Sequence, residues 1–151
     1  MKTSLLAAAL ALASATLQAA GPVVEMYKSP SCGCCHKWAE HMQKAGFTVK
    51  MHDVEDVGAV RAKYGMPDAL GACHTARVGT YTIEGHVPAT DIKRLLREKP
   101  RAVGLSAPGM PPASPGMDLA GYGDFDTLLV GRGGQATRYA RHTLESARKL
   151  D

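Results

Sequence analysis

The sequence contains no asparagine, so it offers no acceptor for N-linked glycosylation. Aromatic residues are scarce: one Trp, five Tyr and two Phe make up 5% of the chain, too few to serve as stacking platforms for nucleic acid bases. An excess of one charge is also lacking. Eighteen Lys and Arg stand against fourteen Asp and Glu, a formal net charge of +4, scattered rather than gathered into the basic stripe of a nucleic-acid-binding protein. Glu40, Asp53, Glu55 and Asp56 form no paired constellation, which removes support for acid–base hydrolysis. Beyond residue 20 no apolar run approaches the roughly 20 residues needed to span a bilayer.

What is present begins with a leader. Lys2 precedes an apolar run from Leu5 to Leu12, and small residues continue to Ala19 and Ala20. A basic start, an apolar middle and small residues at the end describe a secretory signal peptide over residues 1–20, cleaved between Ala19 and Gly21. The stretch is too short and Ala-rich to read as an anchor. The expected mature protein is periplasmic, with no membrane association after cleavage. Its cysteines therefore meet an oxidising compartment, where they serve as disulfides, redox partners or metal thiolates.

The remainder is enough for one domain, residues 21–141, with a charged tail over 142–151. Residues 22–27 read as a strand broken at Ser29-Pro30-Ser31. Cys35, Trp38, Ala39, Met42 and Ala45 recur at helical spacing until Gly46. Residues 47–51 alternate as a second strand, and residues 54–64 read as a second helix. Gly79-Thr80 joins two short strands as a hairpin turn, and a third helix follows Pro88. The order β-α-β-α-β-β-α is that of a thioredoxin-like α/β domain. Residues 101–122 read as a long loop in which Pro108-Gly109-Met110 returns as Pro115-Gly116-Met117; a loop this long inside a compact domain is usually functional or disordered. A C-terminal β-hairpin, residues 125–130 and 135–139 around Gly131-Arg132-Gly133-Gly134, is added to the sheet. Met26, Met42 and Met51 fall on strand or helix faces as core packing.

The chemistry concentrates in cysteine. Cys32-Gly33-Cys34-Cys35 stands where the first strand meets the first helix. A helix N-terminus leaves N–H groups unpaired and carries about half a positive charge, which favours thiolates. A dithiol redox enzyme needs one thiol to attack and one to resolve; here a third lies in the same turn, and Cys73 lies just before the predicted third strand. If the chain folds as expected, Cys73 meets the other three. Four converging sulfurs make either a metal site or two disulfides, Cys32–Cys35 and Cys34–Cys73. Sulfur suits Zn²⁺, Cu⁺ or an iron–sulfur cluster. The tight triplet lacks the paired spacing of structural zinc sites, and Met110 and Met117 offer soft thioethers from an irregular loop, so the balance tilts to copper. His36 reads as solvent-facing. Alternation along an extended run turns His74 away from Cys73, and His86 is divided between a structural hydrogen bond and support of the site.

The chain resembles the CopG-type copper-resistance family of small periplasmic proteins. The resemblance rests on Cys32-Gly33-Cys34-Cys35, on Ala72-Cys73-His74-Thr75-Ala76, on Glu84-Gly85-His86-Val87-Pro88-Ala89 and on the paired Pro-Gly-Met units. It implies a thioredoxin-like fold, copper held by Cys32, Cys34, Cys35 and Cys73, and a role in copper tolerance beside other periplasmic copper-handling proteins. Interconversion of Cu(I) and Cu(II), as a copper oxidoreductase, is a further implication of the resemblance alone. The competing expectation is a thiol–disulfide oxidoreductase using Cys32 and Cys35.

Overall fold

The computed structural model describes residues 21–117, 123–143 and 145. The expected leader and most of the expected tail lie outside them. The chain is a mixed α/β fold. It runs β1 (Val23–Lys28), α1 (Gly33–Lys44), β2 (Thr48–Asp53), α2 (Val57–Lys63), a 3₁₀ turn (Asp68–Leu70), β3 (His74–Val78), β4 (Tyr81–Glu84), α3 (Ala89–Glu98), β5 (Ala102–Ser106), β6 (Phe125–Gly131) and β7 (Ala136–His142). The expected β-α-β-α-β-β-α succession is present from β1 to α3.

These elements form one sheet, ordered β2-β1-β3-β4-β5-β6-β7. β1 and β2 are parallel, with Val24 opposite Val49, and β1 runs antiparallel to β3, with Met26 opposite Ala76. β3 and β4 form the hairpin closed at Gly79, whose φ of +59° is a conformation glycine adopts without penalty.

β5 departs from the expectation of an unbroken loop over residues 101–122. β4, α3 and β5 make a second parallel crossover, with Ile83 opposite Leu105. β6 and β7 then extend the sheet antiparallel. β5 is short and flanked by Pro100 and Pro108, so its composition resembles a loop. Gly104 sits so close to the backbone carbonyl of Thr82 that no side chain fits there. The second helix is also shorter than expected and starts at Val57, because the Asp56 carboxylate caps it by accepting from the Ala59 N–H at 2.9 Å. His142, expected to open the tail, ends β7 and is buried against Asp91, 2.8 Å away.

The core gathers Val24 and Met26 from β1, Cys35, Trp38 and Met42 from α1, Ile83 from β4, Ile92 and Leu95 from α3, and Leu105 from β5. The alternation of β1 that buries Val24 and Met26 also buries Lys28, whose ammonium pairs with Asp53 at 2.7 Å. Trp38 donates its indole N–H to the Val87 carbonyl at 2.9 Å, tying α1 to the segment before α3. Met51, expected in the core, is 44% exposed because β2 is an outer strand. Both outer strands are charged: Lys50 of β2 pairs with Glu25, and Arg138 and Arg141 of β7 pair with Asp126.

Candidate metal centre

Cys32 is the N-cap of α1, and Cys34 and Cys35 lie in its first turn. No acidic residue shares that turn. The free N–H groups and the positive end of the helix dipole therefore face the sulfurs uncompensated, which stabilises negative charge gathered there. Cys73 arrives from the other side, immediately before β3. The four Sγ atoms of Cys32, Cys34, Cys35 and Cys73 all lie within 4.8 Å of one another. Cys32 and Cys34 Sγ are 3.7 Å apart, and Cys35 Sγ, fully buried, is 3.9 Å from the Cys73 carbonyl. Cys32 and Cys35 are joined as a disulfide, with their Cα atoms 5.5 Å apart, while Cys34 and Cys73 are free thiols. Of the two disulfides weighed from sequence, only the first is formed.

Two histidines complete the neighbourhood. His86 Nε2 is 3.2 Å and His74 Nδ1 3.4 Å from Cys73 Sγ, and these three donors also lie within 4.8 Å of one another. The position of His74 corrects the sequence reading. Alternation holds inside a strand, but Cys73 precedes β3 in a bend, so the two side chains do not diverge. His86 returns to Cys73 because Gly85 adopts a φ of +70°. A Cβ at Gly85 would stand 2.5 Å from that of Ala72 and 2.8 Å from the Ala107 carbonyl oxygen. His36 is exposed as expected, its Nδ1 3.2 Å from the Cys32 carbonyl.

Burial sets the protonation of these groups. It pushes the Cys73 thiol up to about 12, and the neighbouring Cys34 adds to the shift. Burial lowers His86 to about 4 and drives His74 well below its usual value. The pocket thus holds a protonated thiol beside two neutral imidazoles, an uncharged set in which a cation would bind by displacing the thiol proton.

A polar network with no motif in the sequence clamps the segment carrying Cys73. Glu84, fully buried, accepts from Arg61 Nε and the Ala72 N–H, both at 2.8 Å, and from the Thr75 hydroxyl at 2.6 Å. Arg61 also donates to the Ala72 carbonyl at 2.9 Å and to Asp68 at 2.7 Å. Burial raises the Glu84 carboxyl, opposed by its donors. The available signal was a lone carboxylate in Tyr81-Thr82-Ile83-Glu84, all four of which are buried.

The loop after β5 packs against the same region. The Gly109 N–H donates to the Gly71 carbonyl at 3.0 Å, and the Pro115 carbonyl accepts from His86 Nδ1 at 2.8 Å. Gly116 presses on α1, where a Cβ would stand 2.7 Å from the Trp38 nitrogen. Met110 is 40% exposed and Met117 half-buried. The two Pro-Gly-Met units are therefore unlike in setting: the second lies against α1 and His86, and the first flanks the Gly71–Ala72 edge.

Fold and site together define a class: a mixed α/β protein with a sulfur-rich candidate metal centre at a strand–helix junction. Residues 70–117 match a family described as a protein of unknown function, DUF411. Two solved structures of a copper resistance protein, CopG, in forms 1 and 2, are each 36% identical to the chain. Their TM-scores are 0.77 and 0.76, and the matches cover 82% and 81% of this chain and 98% of theirs. No protein in the curated set matches. The chain belongs to the CopG family.

Proposed function

We propose that the protein is a periplasmic copper-binding protein that holds Cu(I) through Cys32, Cys34, Cys35 and Cys73 and contributes to copper resistance. The observation that carries this reading is the convergence of four sulfur atoms within 4.8 Å. Thiolates are soft donors that favour Cu(I), and crowded thiolates bridge more than one such ion. The two similar structures, both of a copper resistance protein, point the same way. Met110 and Met117 are proposed as thioether contacts from the loop. A leader over residues 1–20, removed near Gly21, would deliver the domain of residues 21–141 and its tail to the periplasm, where other copper-handling proteins are its proposed partners.

The Cys32–Cys35 disulfide gives this reading a redox side. Closing it from two thiols releases two electrons and two protons. If two Cu(II) ions take the electrons, the products are one disulfide, two Cu(I) ions and two protons. Opening it needs two electrons and two protons from a reductant, and restores all four sulfur donors.

Anaerobic titration of fully reduced protein with Cu(I), read by absorption and intact mass, tests the binding. At least one copper per chain is expected, reduced by Cys34→Ser or Cys73→Ser; a stoichiometry of zero ends the reading. A second reading, a thiol–disulfide oxidoreductase, is favoured by the disulfide at the α1 N-terminus, with Cys32 the more exposed partner. It predicts that Cys32→Ser alone abolishes insulin reduction, while Cys34 and Cys73 are dispensable.

A further inference from the structure

Cations that are dispersed along the sequence are gathered by the fold. The strand register places Val24, Val78, Tyr81, Ala102 and Gly131 at one end of the sheet, and the metal centre at the other. The connections at the first end span residues 44–47, 63–67, 79–80, 99–101 and 132–135. They carry Lys44, Lys63, Lys99, Arg101 and Arg132 and no Asp or Glu. The connections at the metal-centre end reverse this, with Glu55, Asp56 and Asp124 and not one Lys or Arg. We propose that the cationic end is a docking surface for an anionic phospholipid bilayer, on which the protein rests with its metal centre turned away from the lipid. This departs from the sequence expectation of no membrane association after cleavage. No helix among the described residues is long and apolar enough to cross a membrane, so the contact is peripheral.

Four observations support the assignment. The first is that the charge is available. Lys44, Lys99, Arg101 and Arg132 are exposed and make no ion pair among the described residues. Glu98, which closes α3 at this end, is already held by Arg94 at 2.7 Å and Tyr139 at 2.8 Å.

The second is breadth. Lys44 leads into β2 at one rim of the sheet, and Arg132 lies in the turn between β6 and β7 at the other. Seven strands at about 4.8 Å spacing spread these cations over about 29 Å. A row of that width matches a plane of headgroups better than one small anion or a single peptide.

The third is a groove of about 340 Å³ in the middle of this end, lined by Gly79, Thr80, Tyr81, Leu96 and Lys99. Tyr81 and Leu96 give it apolar walls. Lys99 takes a left-handed φ of +48° where a helix more readily ends on glycine, and it sets an ammonium at the groove. Apolar room among cations suits the glycerol and acyl region beneath a phosphate, which an acidic protein surface does not require.

The fourth is where the expected leader joins the domain. Pro22 accepts from the Thr48 N–H at 3.1 Å, so Gly21 stands at this same end. A leader entering a bilayer brings the cationic face to the lipid first.

Each Lys or Arg near an anionic surface strengthens binding about fivefold, and salt screens the attraction within about 10 Å at 0.1 M. The test uses the chain from Gly21, which contains every element of the fold, sedimented with vesicles of phosphatidylglycerol mixed with phosphatidylcholine or of phosphatidylcholine alone. Binding to the anionic vesicles is expected at about 0.03 M salt and its loss at about 0.5 M, with none to the neutral vesicles. Lys99→Gln with Arg101→Gln should weaken binding about 25-fold. Lys37→Gln with Arg141→Gln removes the same charge nearer the metal-centre end and should weaken it several-fold less. No binding to anionic vesicles, equal binding to both kinds, or equal weakening by the two pairs overturns the proposal. Salt-sensitive self-association without vesicle binding also overturns it, and assigns the surface to the acidic end of a second copy. Cu(I) uptake is a separate measurement, so the docking surface and the metal centre can fail independently.

Discussion

Arg61→Met tests whether the Arg61–Glu84 network holds the Cys73 segment in place. Arg61 makes three contacts of unequal weight. The Asp68 carboxylate is 93% exposed, so losing that ion pair costs about 0.5 kcal/mol or less. Losing the donor to the Ala72 carbonyl costs about 1.5 kcal/mol. The decisive loss is at Glu84, whose side chain is 0% exposed; removing one partner of a buried ion pair costs about 3–5 kcal/mol. The Ala72 N–H and Thr75 hydroxyl still solvate that carboxylate, and a proton can neutralise it, so the total should fall near 4 kcal/mol rather than at the sum. Urea unfolding of reduced, metal-free protein, followed by far-ultraviolet circular dichroism, measures it. Glu84→Gln added to Arg61→Met removes the stranded charge and should return about 2 kcal/mol, a coupling that a double-mutant cycle isolates. A cost below about 1 kcal/mol for Arg61→Met, or simple additivity of the two substitutions, would refute the reasoning.

Other expectations follow from single contacts. Gly116→Ala, at a φ of +85° and against the α1 backbone, should cost about 2 kcal/mol or more, whereas Gly109→Ala, at +68° but in open space, should cost about 1 kcal/mol; equal melting temperatures for the two variants would contradict this. Trp38→Phe removes the indole N–H donated to Val87 and should cost about 1–2 kcal/mol in the same urea assay. His86 titrates near 4 in the folded protein against 6.5 as its ordinary value, so the native state binds fewer protons than the unfolded chain between those limits. Stability of the metal-free protein should therefore rise with pH through that window, and about 3 kcal/mol should be lost on acidification to pH 4; His74 acts in the same direction. A flat stability profile from pH 7 to pH 4 would count against buried neutral imidazoles.

The part of the fold legible in the sequence is the part governed by periodicity. Cys35, Trp38 and Met42 announce α1, and Gly79-Thr80 announces the β3–β4 hairpin. β5 was hidden because Ala102 to Ser106 is pinned by its neighbours β4 and β6 rather than by any local preference. At the site, the convergence of Cys73 on the triplet could be read from topology, since strand order decides which segments meet. The roles of His74 and His86 could not. They depend on where β3 begins and on the backbone of Gly85, choices of one residue that no pattern records. Glu84 was obscured for a related reason: a buried carboxylate is legible only when its donors, Arg61, Ala72 and Thr75, are known to surround it.

The charge on the two outer strands has a consequence for how the molecule behaves in a crowd. An open sheet ends in two rows of unsatisfied backbone groups that invite strands from neighbouring molecules. Here one rim carries Lys50 and His52 beside Glu25, and the other carries Arg138 and Arg141 beside Asp126. A visiting strand would have to strip those ions of water before its first backbone bond could form. Lateral growth into fibrils is thereby discouraged at both margins.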